Sequence, residues 1–222
     1  TYAEIPYEVV YDQEVLSGLL PMYDWLHLHH EDFTGQYGKF YATFKNAPWY
    51  KEQKRISEKL AKELGFNKVS KQKLAVAKKI KDYVIGGGFL FAMCSATDSY
   101  DIALASENTD ICAQMFDGDA MDTEAQEKLD FTKTLAFKDF VLIKNPNQYE
   151  FSSIDATQNR KINPKIDFFT LFDFSAKWDP IPTMLCQNHM QVIKGFMGQT
   201  TSFNNQYIKA NVLIMGETKA TN

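Results

Sequence analysis

Cys94 stands between an apolar run and a helix-forming one, in the stretch FLFAMCSATDSYDIAL. A nucleophile held where a buried strand bends sharply into a helix needs small residues two positions to either side, because the chain folds back on itself. Ala92 and Ala96 fill those positions, giving A-M-C-S-A. A thiol at a helix N-terminus feels its partial positive charge, which favours thiolate. The backbone N–H of Ser95 is then placed to join an oxyanion hole. The same residues also read as a small apolar thiol packed at a strand end, since free cysteine is among the most buried residue types.

A second cluster precedes it. His27, His29 and His30 fall within four residues and run into Glu31 and Asp32. In a strand His27 and His29 point the same way. An H-x-H pair with a carboxylate is a ligand pattern for zinc or another divalent transition metal, and His189 is a candidate third ligand. The other reading makes His29 or His30 a base or a substrate contact. Glu31 and Asp32 then either touch substrate or cap and solvate the loop. No metal and no cofactor is assigned from these residues.

The third group is aromatic. Tyr37, Phe40, Tyr41, Phe44, Trp49 and Tyr50 crowd a segment with glycines at 35 and 38. Tyr37, Tyr41 and Trp49 are candidates to stack on a sugar or other ring-bearing ligand; the alternative is a flap pinned to the core by its own rings. Asp98 and Asp101 follow Cys94 at helical spacing, and Asp98 reads as a helix cap or an acid. The segment DGDAMD at 117–122 has the carboxylate density of a calcium loop, but its register and closing residue are wrong.

These residues need elements to hold them. Residues 7–11 and 23–28 read as strands, the second apolar enough to suggest cover on both faces. Asp12 is placed to cap a brief helix ending near Gly18 and Pro21. Residues 49–64 carry Ile56, Leu60 and Leu64 on one stripe, and residues 70–86 carry Leu74, Ala77, Ile80 and Val84; both read as amphipathic helices, the second capped by Ser70. Residues 89–93 are the central strand and 98–105 a helix. The later chain turns β-rich, with strands at 140–144, 166–174 and 208–215, and an undecided element at 187–196. Strand–helix alternation in the first half predicts a parallel sheet covered on both faces. Ligands in such sheets sit beyond the carboxyl ends of the strands, which would bring Cys94 and residues 29–32 to one edge.

Composition sets the outer limits. The 222 residues are 45% apolar and 23% charged, with 17 Phe and 11 Tyr, which argues for a packed globular domain rather than disorder. A net charge of −4 gives no overall electrostatic case for nucleic acid. Residues 51–82 hold 11 basic against four acidic side chains, a local +7 that reads as a solvated helix face. Cys94, Cys112 and Cys186 are three, widely spaced, with no C-x-x-C pair, so neither a disulfide scaffold nor a zinc knuckle is indicated. No run is long enough to span a membrane. Both ends are abrupt, and the chain reads as one domain over 1–222, a fragment of something longer, with a flavodoxin-like half at 1–130 and a β-rich half at 131–222.

The segments YVIGGGFLFAMCSATDSYDIALA and WLHLHHEDFTGQYGKFY together resemble domains of the class I glutamine amidotransferase-like superfamily. The resemblance is to its trehalose-utilisation-like members and to bacterial proteins carrying the name asparagine synthetase B. It implies a three-layer, flavodoxin-like parallel sheet, here with a β-rich C-terminal extension. Glutamine amidotransferases of this superfamily use a Cys–His–Glu triad with the cysteine on a G-x-C-x-G elbow. Only Cys94 carries over, on an A-M-C-S-A elbow; there is no H-P-E segment, and His189 lies in QNHMQ. The resemblance further implies export to the bacterial cell envelope or periplasm, and many relatives without catalysis. The expected role is therefore a ligand-binding or accessory module that lacks the amidotransferase reaction. It would take a carbohydrate or amide ligand, and a protein partner or larger assembly fits it equally. A cysteine-dependent hydrolase or amidase is the first alternative, and a metal-dependent enzyme built on residues 27–32 the second.

Overall fold

A computed structural model describes residues 6–155, 168–171, 192–194, 203–214 and 216–218. The chain is mixed α/β, and its contacts divide it into two compact units, residues 1–152 and 153–222. His189 and Cys186 lie outside the described residues, as does part of the strand expected at 166–174; residues 208–214 form no strand, contrary to the strand expected at 208–215.

The first unit begins with a short helix, α1 (Asp12–Leu16), whose Glu14 carboxylate accepts the Tyr11 backbone N–H at 2.9 Å. Residues 7–11 form no strand; Tyr7, Val9 and Tyr11 are exposed, with no paired strand among the described residues to satisfy an extended backbone. Strand β1 (Trp25–His29) follows; the aromatic segment contains α2 (Tyr41–Phe44) and runs into α3 (Pro48–Glu63), and α4 (Val69–Ile85) comes next. Helix α3 opens on a proline, whose missing N–H costs nothing in the first turn. Its exposed charges pair along the helix, Arg55 with Glu52 and Lys59 with Glu63, so much of the basic surface is self-neutralised. The N-cap of α4 is Lys68 and not Ser70, which lies inside the first turn.

Three glycines connect α4 to strand β2 (Phe89–Met93). Their N–H groups go back to the carbonyls of Asp82, Val84 and Tyr83, so all three close the helix and none is left to cradle an anion. A side chain at Gly88 would begin 2.2 Å from the Tyr83 ring, so any other residue there would have to displace that ring. Strands β1 and β2 pair in parallel, with Trp25 opposite Phe89 and His29 opposite Met93. Helix α5 (Ser95–Ala105) starts directly from β2, three residues earlier than the sequence suggests, and α6 (Gln114–Asp117) follows.

The core lies on one side of this sheet. Leu26, Leu28, Leu90 and Ala92 pack with Val76, Ala77 and Ile80 of α4 and with Ala96, Tyr100, Ala103 and Leu104 of α5. The opposite face carries Trp25, His27 and His29 of β1 beside Phe89, Phe91 and Met93 of β2, all exposed. Among the described residues helices shield one face of the sheet, and β1 alternates exposed and buried. The apolar look of residues 23–28 came from Trp25, which belongs to the open face.

Residues 140–144 form a single bridge, Leu142 to Ser152, rather than a strand. In the second unit, β3 (Phe168–Leu171) lies between β4 (Val192–Lys194) and β5 (Gly216–Thr218), antiparallel to both. Asp155 bridges Phe203, and Asn204 holds the carbonyls of Ile154 and Ser153, each at 2.8 Å.

Candidate functional site

The parallel register decides where the chemistry-bearing residues meet. With His29 opposite Met93, the next residues on each strand are His30 and Cys94, so the histidine cluster and the cysteine leave the sheet side by side at its carboxyl edge. Cys94 is the N-cap of α5 and is half-buried. Its backbone sits at φ 54° and ψ −134°, a conformation that costs a residue with a Cβ about 1–3 kcal/mol. The turn is tight because Ala96 packs fully buried beneath it and Ala92 is half-buried before it. Ser95 opens the helix, and the Thr97 N–H reaches back to the Cys94 carbonyl at 3.0 Å. His30 also has a left-handed backbone, φ 58°, and its ring meets that of His29 edge-on at 3.9 Å.

The carboxylates beside them are engaged elsewhere. Glu31 pairs with Lys73 at 3.2 Å, and Lys73 also holds Asp12 at 2.8 Å. Burial works to lower the Lys73 ammonium, but the two carboxylates outweigh it and raise its pKa. The Ser99 hydroxyl fixes the Glu31 carbonyl. Asp32 organises the loop after β1: one oxygen accepts the Thr34 N–H and hydroxyl at 2.7 and 2.6 Å, the other the Gly38 N–H at 2.7 Å. Asp98 is not the cap of α5. It lies within the helix, 5% exposed, and accepts the Ser99 N–H.

The aromatic segment is mostly folded on itself. Tyr37 and Tyr50 are buried edge to face, and burial pushes the Tyr50 hydroxyl up to about 12. Tyr41 packs on Phe116. Trp49 stays 47% exposed with Phe44 at 5.0 Å, and these rings offer the open surface of the segment. The loop also presses on α4: a side chain at Gly35 would start 2.7 Å from the Ser70 backbone, and Gly35 has φ 81°.

Three polar arrangements carried no clear signal in the sequence. Lys39 is buried, and its ammonium donates to the carbonyls of Ile143 and Glu150 at 2.9 and 2.7 Å. Burial lowers its pKa to about 8, against the pull of Glu150 and Asp32. Tyr37, Gly38 and Lys39 all have left-handed backbones, which is how the loop delivers this side chain inward; only the glycine hinted at it. Asp101, 1% exposed, accepts the backbone N–H groups of Leu135, Ala136 and Phe137 at 2.7, 2.7 and 2.8 Å.

The third is an acidic cluster around Lys68. Its ammonium lies 2.6 Å from Asp110, 2.5 Å from Asp119 and 3.1 Å from Asp117, the last contact ionic without hydrogen-bond alignment. Burial raises the Asp117 carboxyl against the pull of Lys68, and it raises the neighbouring Cys112 thiol, further lifted by Asp117 and Asp110. Asp110, Cys112 and Asp117 bring ligand atoms within 4.8 Å of one another, with the lysine as their counter-ion. The 117–122 segment that carries calcium-loop density therefore spends Asp117 and Asp119 on Lys68, and Asp122 on Lys128.

No family model, no curated protein and no solved structure matches this chain. No helix among the described residues is long and apolar enough to cross a membrane.

Proposed function

We propose that the first unit belongs to a three-layer, flavodoxin-like domain of the amidotransferase-like kind and that Cys94 is its nucleophile, in a hydrolase of amide or related carbonyl substrates. The reading rests on one observation: a non-glycine residue held at φ 54° where β2 turns into α5. Such strain persists where surrounding structure over-determines it, and elbows of this kind present a nucleophile at the sheet edge.

In the proposed reaction the Cys94 thiolate adds to the substrate carbonyl, and the Ser95 N–H helps hold the oxyanion. His30 or His29 donates a proton to the departing amine, leaving a thioester on Cys94. The neutral histidine then takes a proton from water as its oxygen adds to the thioester, releasing the carboxylic acid and restoring the Cys94 thiolate beside the protonated histidine. Labelling with iodoacetamide tests the premise. Cys94 is expected to react roughly tenfold or more faster than the buried Cys112, whose thiol is held neutral. Equal, slow labelling of both overturns the proposal.

A second reading, a ligand-binding or accessory module of the bacterial cell envelope, draws support from the exposed Trp49–Phe44 pair. Carbohydrate ligands stacking there would change tryptophan fluorescence in the wild type and not in Trp49→Ala. No change with any sugar tested would remove it.

A further inference from the structure

We propose that the open face of the β1–β2 sheet holds a soft monovalent metal ion, Cu(I) in its natural chemistry, on His27, His29 and Met93. The imidazole Nε2 of His27 lies 3.2 Å from the Met93 sulfur. A nitrogen and a sulfur at that separation suit two ligands of one ion at about 2.0 and 2.3 Å, roughly at a right angle. His29 is the register partner of Met93, and its ring stands 6.1 Å from that of His27 on the same face of the strand. Two donors thus meet across the strands, and the third stands on the same exposed face beside them.

The donor chemistry selects the ion. Two neutral imidazoles and a thioether supply no negative charge, and thioethers favour soft ions such as Cu(I). The nearby carboxylates that would add negative charge in favour of a divalent ion are engaged elsewhere, Glu31 with Lys73 and Asp32 within its loop. The site thus differs from an H-x-H and carboxylate arrangement. Phe91 lies 5.2 Å from the His27 ring and Trp25 lies 6.3 Å from Phe91, giving the patch an apolar border that limits water on that side. The placement does not use Cys94, and by assigning His29 to the metal it leaves His30 as the acid–base partner of the proposed nucleophile.

Silver(I), a redox-inert stand-in for Cu(I), is the probe. It is titrated into the wild type and into a Cys94→Ala/Cys186→Ala variant, following methionine methyl resonances by NMR. In the variant lacking both thiols, one equivalent is expected to move a single methyl signal, absent when Met93→Leu is added; in the wild type the same signal is expected to move once the thiols are filled. His27→Gln and Met93→Leu are expected to weaken binding by roughly tenfold or more, comparable to the loss of one metal-site interaction. Both substitutions sit on the exposed face, and unchanged circular dichroism and Tm confirm that the fold survives. The proposal is overturned if no methyl signal moves, if Met93→Leu binds like the wild type, if binding vanishes with the two thiols, or if zinc(II) displaces silver at equal concentration.

Discussion

At Cys94 the backbone is held in a conformation that glycine adopts freely and alanine does not. Two substitutions separate the thiol from the strain. Cys94→Ala removes the sulfur and keeps the strain; Cys94→Gly removes both. The glycine variant is therefore expected to be the more stable by about 1 kcal/mol, or roughly 2–4 °C in Tm. Equal melting temperatures would show that the elbow stores no strain. Asp101 offers a contrast, because its carboxylate serves backbone amides. Asp101→Ala leaves three backbone N–H groups without their carboxylate and is expected to cost about 3 kcal/mol or more, read from the urea midpoint. A loss near zero would mean that residues 135–137 find other acceptors. Residue types flagged Cys94 correctly as the end of a strand and the start of a helix. They gave no warning of Asp101, since a carboxylate that serves backbone amides 34 to 36 positions away has no local signature.

Among the elements, the amphipathic helices and β2 were legible because each has a period or a continuous apolar run, with glycine punctuation at its end. Residues 7–11 and 140–144 misled for the same reason: short apolar runs look like strands whether or not a neighbour is there to pair with them. The aromatic loop is the element least visible beforehand, and its hold on the rest of the unit is electrostatic as well as apolar. Lys39 titrates near 8 when folded against 10.5 in an open chain, because burial disfavours its charge. Between those values the unfolded chain binds more protons, so stability rises with pH across that window and is lost as pH falls through 8. Measured against Lys39→Met at each pH, the wild type is expected to gain up to about 3 kcal/mol between pH 8 and 10.5. A flat difference would show that the Lys39 ammonium is solvated rather than clasped.

Over the whole molecule, stability should be concentrated where the largest buried side chains meet. Amide exchange is expected to be slowest in α4, α5 and the β1–β2 pair, whose residues form the main core, and fast in residues 6–11, which make no ladder. Slow exchange in 6–11 would contradict the fold described. That core and the open face are two sides of one decision, made at the triglycine between α4 and β2. Each of its amides is anchored to the last turn of the helix, so the linker acts as a measured spacer that delivers Phe89 opposite Trp25. Shortening it by one residue would move β2 one step along β1 and turn it inside out. Leu90 and Ala92 would face solvent, three bulky side chains would press into the helices, and the sulfur of Met93 would be carried away from its imidazole. A single deletion far from any reactive atom would thus undo core, elbow and metal patch together.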